Sequence, residues 1–464
     1  MKTTLLKKNR SIWALSIAMA IVLIIVLSKH AKAEEPLVLN LEQSLKMALE
    51  HSWSLKERGE EAQAAEYGRK QARGRFLPKL DAQARYTKLS EVDPMMISLP
   101  QLSPQQPKPE PMQLGDSIDE QYSLRLSAEQ PIFSGGAIYN GYKAARTAEK
   151  AALSREDAEK EQIRLQVEVA YFNLMTARQF RSVTLQSVDV LEAHLERVKH
   201  LFDAGRLTRF ELVEAESRLA KAKLSLVDAT GKEKTAEIAF TTLLGIQTGR
   251  NVGLHEPFNA ISSSIPSFDE LRNIALVQNV DLTTFRLVSS TEKSKANAAM
   301  ADMFPKLSLL AGYNYDNPNE RYFPPESEFN DSWDVSVVLK WNFWSWGSNY
   351  YQTRAARSEA KAAEHRVSRV EENTLNNLHK TWQDVRQGME AITAATISVN
   401  AAEEALRLAE EQFKVGALTS TVVLEKELEM TQANIDLTKA RSDYRIAVAQ
   451  LRRITGQISP MSNQ

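Results

Sequence analysis

The chain has 464 residues, with 58 Lys and Arg against 59 Asp and Glu, and no cysteine. Balanced charge leaves no basic excess to neutralise phosphates, which argues against a nucleic-acid partner. Without cysteine there is no disulfide framework, thiolate metal site, cysteine nucleophile or lipid-modified N-terminal Cys.

Residues 1–33 differ from the rest. Lys2, Lys7, Lys8 and Arg10 precede a near-continuous apolar run from Ile12 to Leu27, and Ala31-Lys32-Ala33 then offers an A-x-A pattern. That layout predicts a secretory signal peptide cleaved between Ala33 and Glu34; an uncleaved anchoring helix is the competing reading. Beyond residue 33 no window reaches the roughly 18 apolar residues that a membrane-spanning helix needs.

A helix is expected over Leu41–Arg75, followed by two strands. Leu80, Ala82, Ala84 and Tyr86 alternate with Asp81, Gln83 and Arg85, and Tyr122, Leu124, Leu126 and Ala128 alternate with Ser123, Arg125, Ser127 and Glu129. Period two gives each strand one apolar and one polar face. Strands of about ten residues can cross a bilayer when tilted, and aromatic residues near their ends fit an interfacial girdle. The Pro-rich segment Ser90–Ile118 between them reads as a surface loop, with Met95, Met96 and Met112 as filler rather than a soft-metal site.

From Ala137 to about Phe202 no proline interrupts, and Val188, Leu191, Leu195, Val198 and Phe202 step by three and four. A returning helix carries Leu212, Ala215, Leu219, Ala222, Leu226 and Ala229 at the same spacing, the signature of a coiled coil.

The pattern then repeats. Phe76-Leu77-Pro78-Lys79-Leu80 matches Met303-Phe304-Pro305-Lys306-Leu307, 227 positions on. Phe202-Asp203-Ala204-Gly205-Arg206-Leu207-Thr208 matches Phe413-Lys414-Val415-Gly416-Ala417-Leu418-Thr419, 211 positions on. The 16-residue difference falls in the shorter second loop, Asn317–Asn330. A helix over Phe268–Met303, a hairpin within 307–343, a long helix from about Asn349 to Phe413 and a return from Val423 complete the second half. The division is therefore 34–257 and 258–464, with hairpins at 80–133 and 307–343 and tips near 205 and 416. The short helices are expected to stack end to end with the returns.

The fold class is an α+β membrane protein: a long antiparallel coiled-coil body and four transmembrane strands. Four strands cannot close on themselves, and lipid does not tolerate unpaired edges, so several chains must share one barrel.

These words resemble the outer membrane efflux proteins typified by TolC over nearly all of the mature chain. They are the repeated F-P-K-L before a strand, Gln130-Pro131-Ile132-Phe133-Ser134-Gly135-Gly136 after one, its degraded copy Trp341–Gly347, and F-x-x-G-x-L-T at both tips. The resemblance implies a homotrimer with a 12-strand barrel in outer-membrane lipid. It implies a passive exit duct for an efflux pump or a type I secretion system, served by a periplasmic adaptor and an inner-membrane pump of RND, ABC or MFS type. It also implies adaptor docking at the tips, here Gly205, Leu207, Thr208, Gly416, Leu418 and Thr419. Glycine permits a tight turn, and Thr208 and Thr419 are expected to cap the returning helices.

The family narrows its periplasmic entrance with acidic residues six and nine positions past the second tip glycine. Those positions hold Val422 and Glu425, and the first half carries Glu211 and Glu214 there. Glu211, Glu214 and Glu425 are thus the expected constriction. An envelope-spanning coiled-coil scaffold on an uncleaved helix is the alternative. No G-x-S-x-G, P-loop or H-E-x-x-H occurs, and His194 and His200 read as surface or capping residues. Neither an enzyme nor a cofactor is expected.

Overall fold

The computed structural model describes residues 37–90, 92–94, 96–101, 103, 107–113, 117–247, 252–255, 265–323 and 326–456. The signal segment with Ala33 and Glu34, the boundary at 257, and Met95 lie outside them.

A short strand β1 (Leu37–Leu39) leads into α1 (Leu41–His51) and α2 (Trp53–Gly74). Asn40 and Gln43 form a reciprocal capping box at α1, and the Ser52 hydroxyl caps α2. Strands β2 (Lys79–Lys88) and β5 (Glu120–Phe133) flank the first loop, where β3 (Met96–Ile97) pairs with β4 (Met112–Gln113). Then come α3 (Ala137–Asp203), α4 (Arg209–Leu243) and β6 (Val252–Leu254), which pairs in parallel with β1. The second half follows with α5 (Phe268–Gln278), α6 (Val280–Ala299), a 3₁₀ turn (Met300–Met303), β7 (Lys306–Asn317), β8 (Asn330–Lys340), α7 (Ser348–Lys414) and α8 (Ser420–Thr455).

α3 and α7 each run 67 residues, roughly 100 Å at 1.5 Å per residue. The helices lie side by side: α4 on α3, α3 on α8 and α8 on α7, with α2 on α3 and α6 between α3 and α7. The core is a string of clusters along this rod. One gathers Tyr171, Phe172 and Phe240 near β1 and β6; another gathers Leu378, Val385 and Tyr444 between α7 and α8.

The returning helices end on the short ones, as expected. The Asn279 side chain donates to the Ile454 carbonyl at 2.9 Å, and Gly456 (φ +68) presses so closely on the Gln278 carbonyl that a Cβ would not fit. Gly245, past α4, meets His51 in the same way.

The four long strands form one antiparallel sheet in the order β2-β5-β7-β8. β8 stops at Lys340, three residues short of the hairpin limit expected from the aromatic alternation.

Candidate functional site

The sheet's register aligns its apolar residues into rows. Ala82, Leu126, Tyr313 and Trp333 stand abreast, as do Leu80, Ala128, Ala311 and Val335. On the other face the rows are Asp81, Ser127, Gly312 and Asp334, and Gln83, Arg125, Asn314 and Ser332. Leu80, Trp333, Val337 and Leu339 are each about two-thirds exposed or more, so this face offers mostly apolar side chains to its surroundings, with Asp331 opposite Tyr315 and Gln130 opposite Leu309 as its polar members. A patch of that kind marks a lipid or protein contact. Among the described residues no further strand pairs with the outer edges of β2 and β8; Arg321 and Tyr322 reach the Trp333 and Asp331 carbonyls, and the remaining edge groups need a partner in a bilayer.

At the far end of the rod the two hairpins turn side by side. Gly205 and Gly416 adopt φ +75 and +79 with open space around them, the left-handed turn that glycine makes freely. Leu207, Gly416, Leu418 and Thr419 line one groove of about 660 Å³ between the tips. Its charged walls are Arg197, Arg206 and Lys414 against Glu211. Gly205 and Thr208 are exposed on the first tip outside that groove.

The tips differ in their caps. The Thr208 N–H donates to Glu211 Oε2 at 2.8 Å, and the Glu211 N–H donates to Thr208 Oγ1 at 3.3 Å. Thr419 makes no side-chain cap, contrary to expectation. Val422 stands where Glu211 stands in the first tip, so the reciprocal half of the box is missing. Of the acidic residues, Glu211 is engaged in the cap. The Glu214 carboxylate accepts from Thr421 Oγ1 at 2.9 Å, bridging α4 to α8. Glu425 is exposed on α8.

Sequence reasoning missed the seam between α3 and α8. His194 is 2% exposed, not at the surface: its Nε2 lies 2.7 Å from Ser420 Oγ and its ring 5.4 Å from that of Phe413. Nδ1 has no hydrogen-bond partner among the described residues. Burial, with Arg197 nearby, pulls the imidazole down to about 4, so it is neutral above that pH. Seven residues back on α3, Ser187 bonds the Glu427 carboxyl, seven residues on from Ser420. Glu427 is 6% exposed and receives Thr431 Oγ1 at 3.4 Å. Burial, and Glu410 more weakly, push its carboxyl up to about 7. Higher on the rod Arg452 Nη1 donates to Glu168 Oε1 at 2.7 Å. Burial still holds that carboxyl above its ordinary value, although Arg452 and Arg164 pull it down. The available signal was a second 3-4 series on α8, Ser420, Leu424, Glu427 and Thr431, overlooked because it is mostly polar.

A sequence profile of the family described as "Outer membrane efflux protein" matches residues 44–246 and 271–457. The chain belongs to the outer membrane efflux protein family. It resides in the outer membrane with a long periplasmic helical part. Among relatives, the outer membrane protein TolC of Vibrio cholerae is 24% identical over 317 residues, 68% of this chain and 72% of that protein. The alkaline protease secretion protein AprF of Pseudomonas aeruginosa is 21% identical over 345 residues, 73% of this chain and 70% of that protein. Among solved structures, the outer membrane protein VceC of Vibrio cholerae superposes with a TM-score of 0.75 at 18% identity, covering 90% of this chain and 96% of that one. The outer-membrane channel OprN gives 0.74 at 19% identity, covering 90% and 89%. These two likenesses establish the fold.

Proposed function

We propose that three copies of this chain form a passive exit duct through the outer membrane and periplasm, serving an inner-membrane efflux pump or type I secretion system through a periplasmic adaptor. One observation carries the reading. A sheet with a predominantly apolar face and two open edges leads through short turns into helices of roughly 100 Å. The apolar face meets lipid, and the edges close a shared twelve-strand barrel. The opposite face, lined by Asp81, Gln83, Arg125 and Asp334, is the wet wall of the lumen. No bond is made or broken in the cargo; the pump supplies the energy. Cleavage between Ala33 and Glu34 precedes insertion.

Adaptor docking belongs to the tip groove at Leu207, Gly416, Leu418 and Thr419, with Gly205 and Thr208 beside it. Glu211, Glu214 and Glu425 ring the entrance, where like carboxylates attract cations and repel anions. Glu425 is the most accessible of the three.

Reconstitution into planar bilayers tests the reading. Discrete cation-selective conductance steps are expected, with divalent-cation block that weakens when all three glutamates become Gln. A protein that fractionates with the outer membrane yet conducts nothing would overturn the duct. Unchanged block in the triple variant would remove only the entrance ring.

A further inference from the structure

Two corners of the chain follow the same backbone path, and only one is filled. After β5, Gly135 and Gly136 take φ +62 and +90; after β8, Trp346 and Gly347 take +52 and +82. In each turn a serine carbonyl, of Ser134 or Ser345, accepts the N–H of the first helical residue at 3.0 Å. Each serine hydroxyl also accepts an N–H four residues on, from Ile138 or Asn349. At the first corner Gly135 lies on the turn that leads into β7. A Cβ there would come 2.6 Å from the Ala301 oxygen and 2.9 Å from Phe304 Cβ. Residues 130–133 meanwhile extend β5 along β7 alone, beyond its last pair with β2 at Lys79 and Glu129.

Among the described residues no turn presses on the second corner as Ala301–Phe304 presses on Gly135; the Trp346 indole meets the Trp344 ring edge-on at 5.7 Å. β8 and β7 end their pairing at Lys340 and Lys306, the counterpart of Glu129 and Lys79, and residues 341–344 have no partner strand. Trp346 is 86% exposed. A bulky residue with positive φ is strained, and such strain persists where its surroundings fix it.

A matching surface lies on the opposite edge. The Gly74–Leu77 turn before β2 repeats the Ala301–Phe304 turn before β7: Leu77 N–H donates to the Gly74 oxygen at 3.0 Å, as Phe304 N–H does to that of Ala301 at 3.1 Å. Leu77 is 65% exposed, and a Cβ at Gly74 would meet nothing within 4 Å.

We propose that Trp346 of one copy plugs a corner against the Gly74–Leu77 turn of a second copy, while residues 341–344 pair with that copy's β2. The proposal rests on the reading that copies share one sheet, and it adds the register and the residue that seals the join. Within the chain Ala128 faces Ala311; by the same geometry Leu339 faces the second copy's Ala84. Because Trp346 carries the Cβ that Gly135 lacks, the join stands wider than the internal corner, and the indole fills the difference beside a residue without a side chain. Lipid is the poorer occupant, since it cannot satisfy the free backbone groups of 341–344.

The natural absence of cysteine makes the test direct. Trp346→Cys with Gly74→Cys, and separately Leu339→Cys with Ala84→Cys, are oxidised in native outer membranes and run without reductant. Both pairs are expected to link copies covalently, and each single variant to remain unlinked. Linkage through Leu339 and Ala84 without linkage through Trp346 and Gly74 overturns the plug and leaves the shared sheet standing. Linkage through neither overturns both. If a cysteine pair does not assemble, Trp346→Ala decides: the assembled species should dissociate in detergent several degrees lower than wild type, and an unchanged temperature overturns the plug.

Discussion

α8 packs mainly on α7 and α3, and these two seams are made of different residues. Against α7 it presents Tyr444, Ala447 and Leu451 to Leu378, Val385 and Ile392, all buried and apolar apart from the tyrosine hydroxyl. Against α3 it presents Ser420, Glu427 and Arg452 to His194, Ser187 and Glu168. An apolar seam is strong and non-directional, so it holds a hairpin together whatever the pH. Buried polar pairs add little net stability but demand one register, and three of these groups, His194, Glu427 and Glu168, are shifted from their ordinary titration. The molecule thus holds the second hairpin by an apolar seam, while the seam between hairpins mixes buried polar pairs with apolar contacts of Leu424 and Leu201.

The most damaging way to break this contrast is Arg452→Ala. It leaves buried Glu168 with Arg164 as its remaining cation, which costs about 3 kcal/mol. Adding Glu168→Gln should recover most of that loss. Hydrogen exchange of α3 and α8 measures both; no recovery would mean that Arg452 acts through packing alone.

On the apolar seam, Leu378→Ala should cost about 2–5 kcal/mol. Its effect on the thermal melt should be the same at pH 5 and pH 8, which separates the seams cleanly.

The titrating pair sharpens the comparison further. His194 is depressed from 6.5 to about 4, so its contribution is complete above pH 6.5 and is lost as pH falls from there through 4. Glu427 is raised from 4.5 to about 7, so its contribution is complete below pH 4.5 and is lost as pH rises through 7. Each flank is worth up to about 3 kcal/mol, and between the two ordinary values the slopes oppose each other. Glu427→Gln should flatten the alkaline side of the profile and leave the acid side. His194→Gln should do the reverse. A profile unchanged in both variants would show that the seam does not sense protons.

The smallest effects belong to the tips. Thr208→Ala removes a capping box and should cost about 1 kcal/mol of local stability in α4. Thr419→Ala removes no cap and should leave amide protection in the first turn of α8 unchanged.

Much of this architecture was legible in the residues. Period-two alternation located β2, β5, β7 and β8, because a sheet with one apolar face must write that period into its sequence. The tip word F-x-x-G-x-L-T marked the helix ends to within a residue or two, because a left-handed glycine and a following threonine are what the turn requires. Other features left weaker traces. β1 and β6 are three residues each, too short to show a period. The α3–α8 seam escaped because Ser420, Glu427 and His194 resemble a solvated face, and a buried polar residue is betrayed by its partner rather than by its own identity. The tip groove was half legible: Leu207 and Leu418 could be named, but only the fold brings Arg197 and Arg206 beside Leu418.

The uninterrupted 67 residues of α7 have a mechanical corollary. A rod of roughly 100 Å that pivots at Gly347 moves its far end by about 5 Å for every 3° of tilt. A displacement applied at the tip groove is therefore geared down at the sheet, which lies beside the pivot.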